Sequence, residues 1–269
     1  MLGLMAMAAA TATQCRPVAG AERLWDKPET QWVMIGEMHG TAEMPATFAD
    51  LVCQAAATSH RPVTVALEQD VEMQPAIDAF LTSDGGAVAR NAFLAAPMWR
   101  GKMQDGRSSQ AMLLLYDRLR VMRQAGQIRA VYAFIPRITA WTGDGPYNAL
   151  MAGRLKELAA GRKDIVLAYM GSLHAAKSSA GQGADAFLPA AADLPPERTV
   201  SVYVNSNGGE AWNCMPDGCG PHPMQARDAR RGFAPADGLP WRYDWIFELG
   251  EKASASPPAV PLNESAPLK

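Results

Sequence analysis

Short apolar runs alternate with amphipathic stretches along most of this chain, and that alternation limits the folds open to it. Trp32–Ile35 (WVMI) is apolar and stops at Gly36, which reads as a buried strand. Val63–Leu67 (VTVAL) is β-branched and ends at Glu68. Arg129–Phe134, Ile165–Met170, Thr199–Val204 and Trp245–Leu249 have the same character. Between them lie helical spacings. Phe48, Leu51, Val52 and Ala55 share one face, with Pro45 tolerated in a first turn. Pro75–Leu81 is a short helix, Ser108–Ala125 a long amphipathic one capped by Ser108 or Ser109, and Pro146–Ala160 a third. Strands alternating with helices predict a single α/β domain with a substantially parallel or mixed central sheet flanked by helices. In such sheets ligands bind beyond the carboxyl ends of the strands.

Two of those strand ends are alike. Val33-Met34-Ile35 runs into Gly36-Glu37-Met38-His39-Gly40, and Leu167-Ala168-Tyr169-Met170 runs into Gly171-Ser172-Leu173-His174. Each is a strand followed by G-x-x-H. Glycine permits a sharp turn where the strand stops. The histidine is then carried over the sheet edge. One such histidine alone reads as a loop residue satisfied by a hydrogen bond. Two after equivalent strands, from only four histidines in 269 residues, point to a shared site.

Carboxylates gather at the same edge. Glu37 lies inside the first motif. Glu43 sits near the start of the next helix, where the dipole favours it. Glu68 directly follows a buried strand and needs a cationic partner or a metal. Asp105 and Arg107 lie in the Gln104–Ser109 segment (QDGRSS) before the long helix. Arg107 opposes that helix's dipole, so it reads better as a clamp for an anion or for Glu68.

Together these residues resemble the Tiki/TraB/erythromycin-esterase-like superfamily, closest to its ChaN-like branch. The resemblance rests on Ile35–Pro45 (IGEMHGTAEMP), the strand-ending Glu68, the QDGR loop, the second G-x-x-H and the closing YDWIFELG. It covers roughly Trp32 to Gly250. Tiki-like members imply metal-dependent peptide hydrolysis through His39, His174 and Glu37. Esterase-like members imply metal-free hydrolysis through Glu37, His39, Glu68 and His174. Here Glu37 and His39 are separated by one residue rather than the esterases' two, and the esterases' following arginine falls near Phe48, without a counterpart. Asn148 stands where related sequences tend to place an acid, a hint of drift. The ChaN-like label, haem-binding uptake, implies the alternative of an exported haem or small-ligand binding protein without turnover.

On either scheme the expected reaction is hydrolysis of an ester or peptide bond. Glu37, His39, Glu43, Glu68, Asp105, Arg107 and His174 are the candidate catalytic residues. If a divalent metal takes part, Glu37, His39 and His174 are its candidate ligands. Spacing does not choose between the schemes. The partner is a small-molecule or peptide substrate.

Other classes are excluded by what is missing. Lys+Arg number 25 against 27 Asp+Glu, so no basic surplus suggests a nucleic-acid binder. No apolar run is long enough to span a membrane. There is no G-x-S-x-G, Walker loop or dinucleotide fingerprint.

The apolar start, MLGLMAMAAATATQ with Ala10-Thr11-Ala12, resembles a signal-peptide remnant within residues 1–21. It suggests a periplasmic or secreted protein, with a cytoplasmic one as the alternative. Cys15 fits a lipid-modified cysteine poorly after Gln14. Cys53 reads as core. Cys214 and Cys219 flank a Pro-Asp-Gly turn and suit a local disulfide or a plain loop; with His222 they would make an incomplete zinc set. His60 reads as a turn residue. Trp99, Trp141, Trp212 and Trp241 fall in loop-like segments and are candidates either for a cleft wall or for loop packing. The tail 251–269, rich in Pro, Ala and Ser, reads as disordered beyond a domain spanning 22–250.

Overall fold

The structure, a computed structural model, describes residues 15–102, 104–137, 140–237, 239 and 242–261. The strands are β1 (Trp32–Glu37), β2 (Val63–Asp70), β3 (Ala130–Ile135), β4 (Ile165–Gly171), β5 (Thr199–Asn205), β6 (Gly209–Met215), β7 (Gly218–Met224), β8 (Gly232–Pro235) and β9 (Trp245–Glu248). The helices are α1 (Glu43–Thr58), α2 (Gln74–Thr82), α3 (Ala87–Leu94), α4 (Gln110–Gln124), α5 (Asp144–Ala159) and α6 (Ser172–Ala175). Seven strands form one sheet in the order β3-β2-β4-β1-β5-β9-β8. Its pairings are parallel except β8 with β9. The expected α/β class is therefore the observed one. Strands β6 and β7 form a separate antiparallel hairpin.

Both sheet faces are covered, which is why the central strands are apolar without alternation. Val33, Ile35, Val65, Leu67, Leu167 and Tyr169 face one layer, where Phe48 of α1 and Leu115, Tyr116 and Leu119 of α4 are buried. Phe48 stacks on Tyr169 at 4.7 Å. Met34, Ala66, Ala168 and Met170 face the other, with Met151 and Leu155 of α5. Pro45 occupies the first turn of α1, as expected. Ser109 caps α4 by accepting the Met112 N–H.

Several expectations are corrected. Residues 251–261 are not disordered. This segment hydrogen-bonds along its length: Ala253 to Gly208 and Glu210, Ser254 to Ala42, Ser256 to Gly40, Pro257 to Gln110 and Ala259 to Ser108. Ala253 and Ser256 are buried. Its order comes from these backbone bonds and a groove already lined by the fold, so it needs no apolar period of its own. The rest of the tail lies outside the described residues.

The cysteines form two disulfides, Cys15–Cys53 and Cys214–Cys219. Cys53 is in the core as expected, but bonded to Cys15, which removes Cys15 as a lipid-attachment site. Closing that 38-residue separation contributes about 4 kcal/mol on the chain-entropy account. With both its sulfurs so bonded, the Cys214–Cys219–His222 zinc set is not formed. His222 instead meets Asp217. Trp99 is buried against Phe93 and Tyr116, so it is core and not cleft. His60 does sit in a turn, with φ of 55°. The signal-like residues 1–14 and Trp241 lie outside the described residues. No helix among those described is long and apolar enough to cross a membrane.

Candidate functional site

Three neighbouring strands bring the site together. In the order β2-β4-β1, Glu68 rises from β2, Gly171 ends β4, and Glu37 ends β1 directly opposite Gly171. His39 follows β1 and His174 lies in α6, immediately after β4. The two G-x-x-H units are adjacent because their strands pair.

Local backbone details make this convergence possible. Between Leu67 and Asp70 the register of β2 with β3 slips. Such a slip re-aims side chains, here at Glu68 and Gln69. Gly36 leaves room for α6, since a Cβ there would lie 2.8 Å from the Ala175 Cβ. Gly106 (φ 96°) lets the Gln104–Ser109 loop press on the first motif. A Cβ would fall 2.3 Å from the Gly40 nitrogen. Gly40 (φ 88°) in turn lies against Trp212 of the hairpin. Its carbonyl accepts both the Trp212 and Ser256 N–H groups.

Glu68 is the hub. It is only 6% exposed. One carboxylate oxygen accepts the Gly171 N–H at 2.6 Å and lies 3.5 Å from His39 Nε2. The other lies 3.4 Å from Arg107 Nη1 and 3.9 Å from His174 Nε2. Burial alone would raise its pKa, yet His39, His174 and Arg107 reverse this and hold it below the usual carboxylate range.

His39 sits between two carboxylates. Its Nδ1 is 2.7 Å from Glu37 Oε1. Burial opposes the imidazolium, but Glu68 and Glu37 outweigh it and push its pKa up to about 10. Burial pushes Glu37 up, with His39 pulling the other way. Burial first and the Glu37 carboxylate second raise the Tyr169 phenol, although among the described residues neither Tyr169 Oη nor Glu37 Oε2 has a hydrogen-bond partner of good geometry.

His174 is the opposite case. Its pKa is lowered, first by burial, then by His39 and Arg107, with Glu68 resisting. Its Nδ1 lies 2.7 Å from Asn148 Oδ1. That oxygen also accepts the Ala190 N–H at 3.0 Å, while Asn148 Nδ2 donates to the Asp144 carbonyl. Two backbone groups thus fix which way the Asn148 amide points. His174 Nδ1 must therefore carry the proton, leaving a lone pair on Nε2. Asn148, fully buried, has this definite task, which corrects its reading as a sign of drift.

The remaining candidates divide. Asp105 grips Arg107, with its Oδ2 2.7 Å from Nη2, and both line the cleft. Glu43 does not join the cluster. Its carboxylate accepts the Ser254 N–H at 2.9 Å and holds the C-terminal segment. Sequence reasoning missed Tyr147, whose ring meets His174 edge-on at 5.8 Å, and Asn213 on the hairpin. No sequence signal marked either as near the site. The cleft over the sheet edge measures about 520 Å³.

A divalent metal suits these residues poorly. Among the described residues no group of three or more His, Cys, Asp or Glu is arranged to hold one. Glu37 and Glu68 are already occupied by His39, and the Arg107 guanidinium supplies positive charge against Glu68. Haem fares no better at His39, where both ring nitrogens face carboxylates.

No family model matches this chain, and no curated protein does. Solved structures do. A mutant of erythromycin esterase EreC in its open conformation superposes with a TM-score of 0.64 at 11% identity, covering 90% of this chain and 94% of that one. A Bacillus cereus protein gives 0.55 at 10% identity, over 85% and 90% of the two chains. A succinoglycan biosynthesis protein gives 0.52 at 10%, over 88% and 91%. At such identities the likeness is one of fold. The chain shares its overall fold with these three structures.

Proposed function

We propose that this protein is a metal-independent hydrolase acting on an ester bond, with His174 as general base and His39 as the cationic stabiliser. The observation that carries this is the geometry around one buried carboxylate: Glu68 lies 3.5 Å from His39 Nε2 and 3.9 Å from His174 Nε2. The other ring nitrogen of His39 meets the Glu37 carboxylate and that of His174 the neutral Asn148 amide; burial and these neighbours together push the two histidines in opposite directions. Environments that separate two titratable groups in this way assign acid and base roles.

The 3.9 Å gap between His174 Nε2 and Glu68 Oε1 is too long for a hydrogen bond and suits a bridging water. Such a water donates one proton to each acceptor and turns a lone pair towards the cleft. His174 removes its proton as the oxygen attacks the ester carbonyl. The oxyanion that forms is offset by protonated His39 and by Arg107. When the C–O bond breaks, the leaving oxygen takes the proton from His174. Water and ester become acid and alcohol. Glu37 and Glu68 keep His39 charged, Asn148 keeps His174 in the right tautomer, and Asp105 holds Arg107. The two disulfides suit a periplasmic or secreted protein.

The test is turnover of a panel of small esters and amides, with or without added metals. Wild-type protein should hydrolyse esters after exhaustive chelation, and His174→Ala should lose about 10²–10⁴-fold in kcat while keeping its circular dichroism spectrum. Full activity in His174→Ala overturns the general-base assignment, and no turnover by the wild type overturns the hydrolase reading. The latter result leaves a ligand-binding protein without turnover.

A further inference from the structure

The cleft's outer walls carry chemistry that the hydrolytic groups do not use. On one side Trp141 is 62% exposed, unusual for the largest apolar side chain. It leans on Tyr147 at 5.4 Å, and Tyr147 meets His174 edge-on at 5.8 Å. An aromatic shelf therefore runs outward from the general base. On the other side stands the hairpin. Asn213 projects from β6, and its Oδ1 is buried without a hydrogen-bond partner among the described residues. The hairpin is rigidly placed. Its Trp212 N–H bonds the Gly40 carbonyl, and the Cys214–Cys219 disulfide ties its strands. Asp70, which makes no ion pair among the described residues, and Asp105 complete the rim.

Asn213 Oδ1 and the Asp70 carboxylate are thus, among the described residues, unpartnered acceptors on these walls. An orphaned buried acceptor is destabilising until a donor reaches it. A partner that answers these groups needs a flat C–H face for the indole and several O–H donors. A pyranose meets both conditions. An unsubstituted aromatic ester has the face but no O–H donors.

We propose that Trp141, Tyr147 and Asn213 form a sugar-ring subsite, so that the substrate is an acyl ester of a carbohydrate hydroxyl. The fate of the ester rests on the hydrolase reading above; the subsite does not. The ring stacks on Trp141 with its esterified oxygen directed along the shelf to His174. Water attacks the acyl carbon, the C–O bond to the sugar breaks, and the sugar oxygen receives the proton held by His174. The products are a carboxylic acid and the free sugar hydroxyl.

Titration calorimetry of the intact protein with methyl pyranosides, run beside hydrolysis of 4-nitrophenyl acetate and of acetylated methyl pyranosides, tests this. Pyranosides should bind and inhibit competitively, and cyclohexanol should do neither. Trp141→Ala and Asn213→Leu should each weaken pyranoside binding by at least about tenfold, with melting temperature as the check on folding. Hydrolysis of 4-nitrophenyl acetate without pyranoside binding at millimolar concentration overturns the subsite and leaves the hydrolase reading standing. Equal pyranoside affinity in both variants also overturns it. Pyranoside binding without hydrolysis of either ester supports the subsite and overturns the hydrolase reading.

Discussion

Glu68→Gln is the substitution that probes the charge arrangement most directly. The amide keeps the size of the side chain and its oxygen can still accept the Gly171 N–H, so the backbone turn survives. What disappears is one negative charge 3.5 Å from His39 Nε2 and 3.4 Å from Arg107 Nη1. At an effective dielectric constant of about 20, a unit pair at the His39 distance is worth about 5 kcal/mol. Glu68 heads the influences that raise His39 against its burial. Its loss should bring the His39 pKa from about 10 down towards the ordinary 6.5, with Glu37 holding it somewhat above that value.

The sign for stability follows from the raised value. The contribution of His39 is fully present below pH 6.5 and is lost as pH rises through about 10. In Glu68→Gln that loss begins at lower pH, and leaving two cations without their buried partner costs about 3–5 kcal/mol. Two measurements read this out. Histidine carbon-13 NMR titration should show the high-pKa imidazole moving down. The pH profile of kcat/KM should show its alkaline limb moving the same way, while the acid limb, set by the lowered pKa of His174, remains below 6.5. An unchanged high-pKa imidazole in the variant would refute the argument that Glu68 keeps His39 charged.

Asn148→Ala should lower kcat about a hundredfold by releasing the His174 tautomer, whereas Asn148→Asp should retain activity and shift the acid limb upward, because a negative charge at Nδ1 favours the imidazolium; an unchanged acid limb in Asn148→Asp would count against this contact. Truncation after Lys252 should lower the melting temperature and the ester activity together, because it removes the Ser256 N–H from the Gly40 carbonyl beside His39 and the Ser254 partner of Glu43; each lost backbone bond is worth about 1 kcal/mol, and wild-type melting with full activity would show that the segment supports nothing.

The sequence by itself determined the α/β class. Apolar strands that need both faces buried alternate with helices able to cover them, and no other common architecture satisfies that pattern. It also marked Glu37, His39, Glu68, Asp105, Arg107 and His174, because strand ends carrying glycine, histidine or carboxylate are visible in one dimension. Only tertiary structure decided what those groups are to one another. The strand order β2-β4-β1 is a matter of pairing, and it alone puts Glu68 between the two histidines. The opposite proton affinities of His39 and His174 depend on distances of a few ångströms and on burial, which spacing along a chain does not encode. Glu43 follows the same strand end as Glu37, yet the fold turns it towards Ser254. Asn148 became meaningful only when Ala190 and Asp144 fixed its amide. Residues 251–261 lack an apolar period and are ordered all the same, because backbone hydrogen bonds to Gly40, Ala42, Ser108 and Gln110 require no particular side chains.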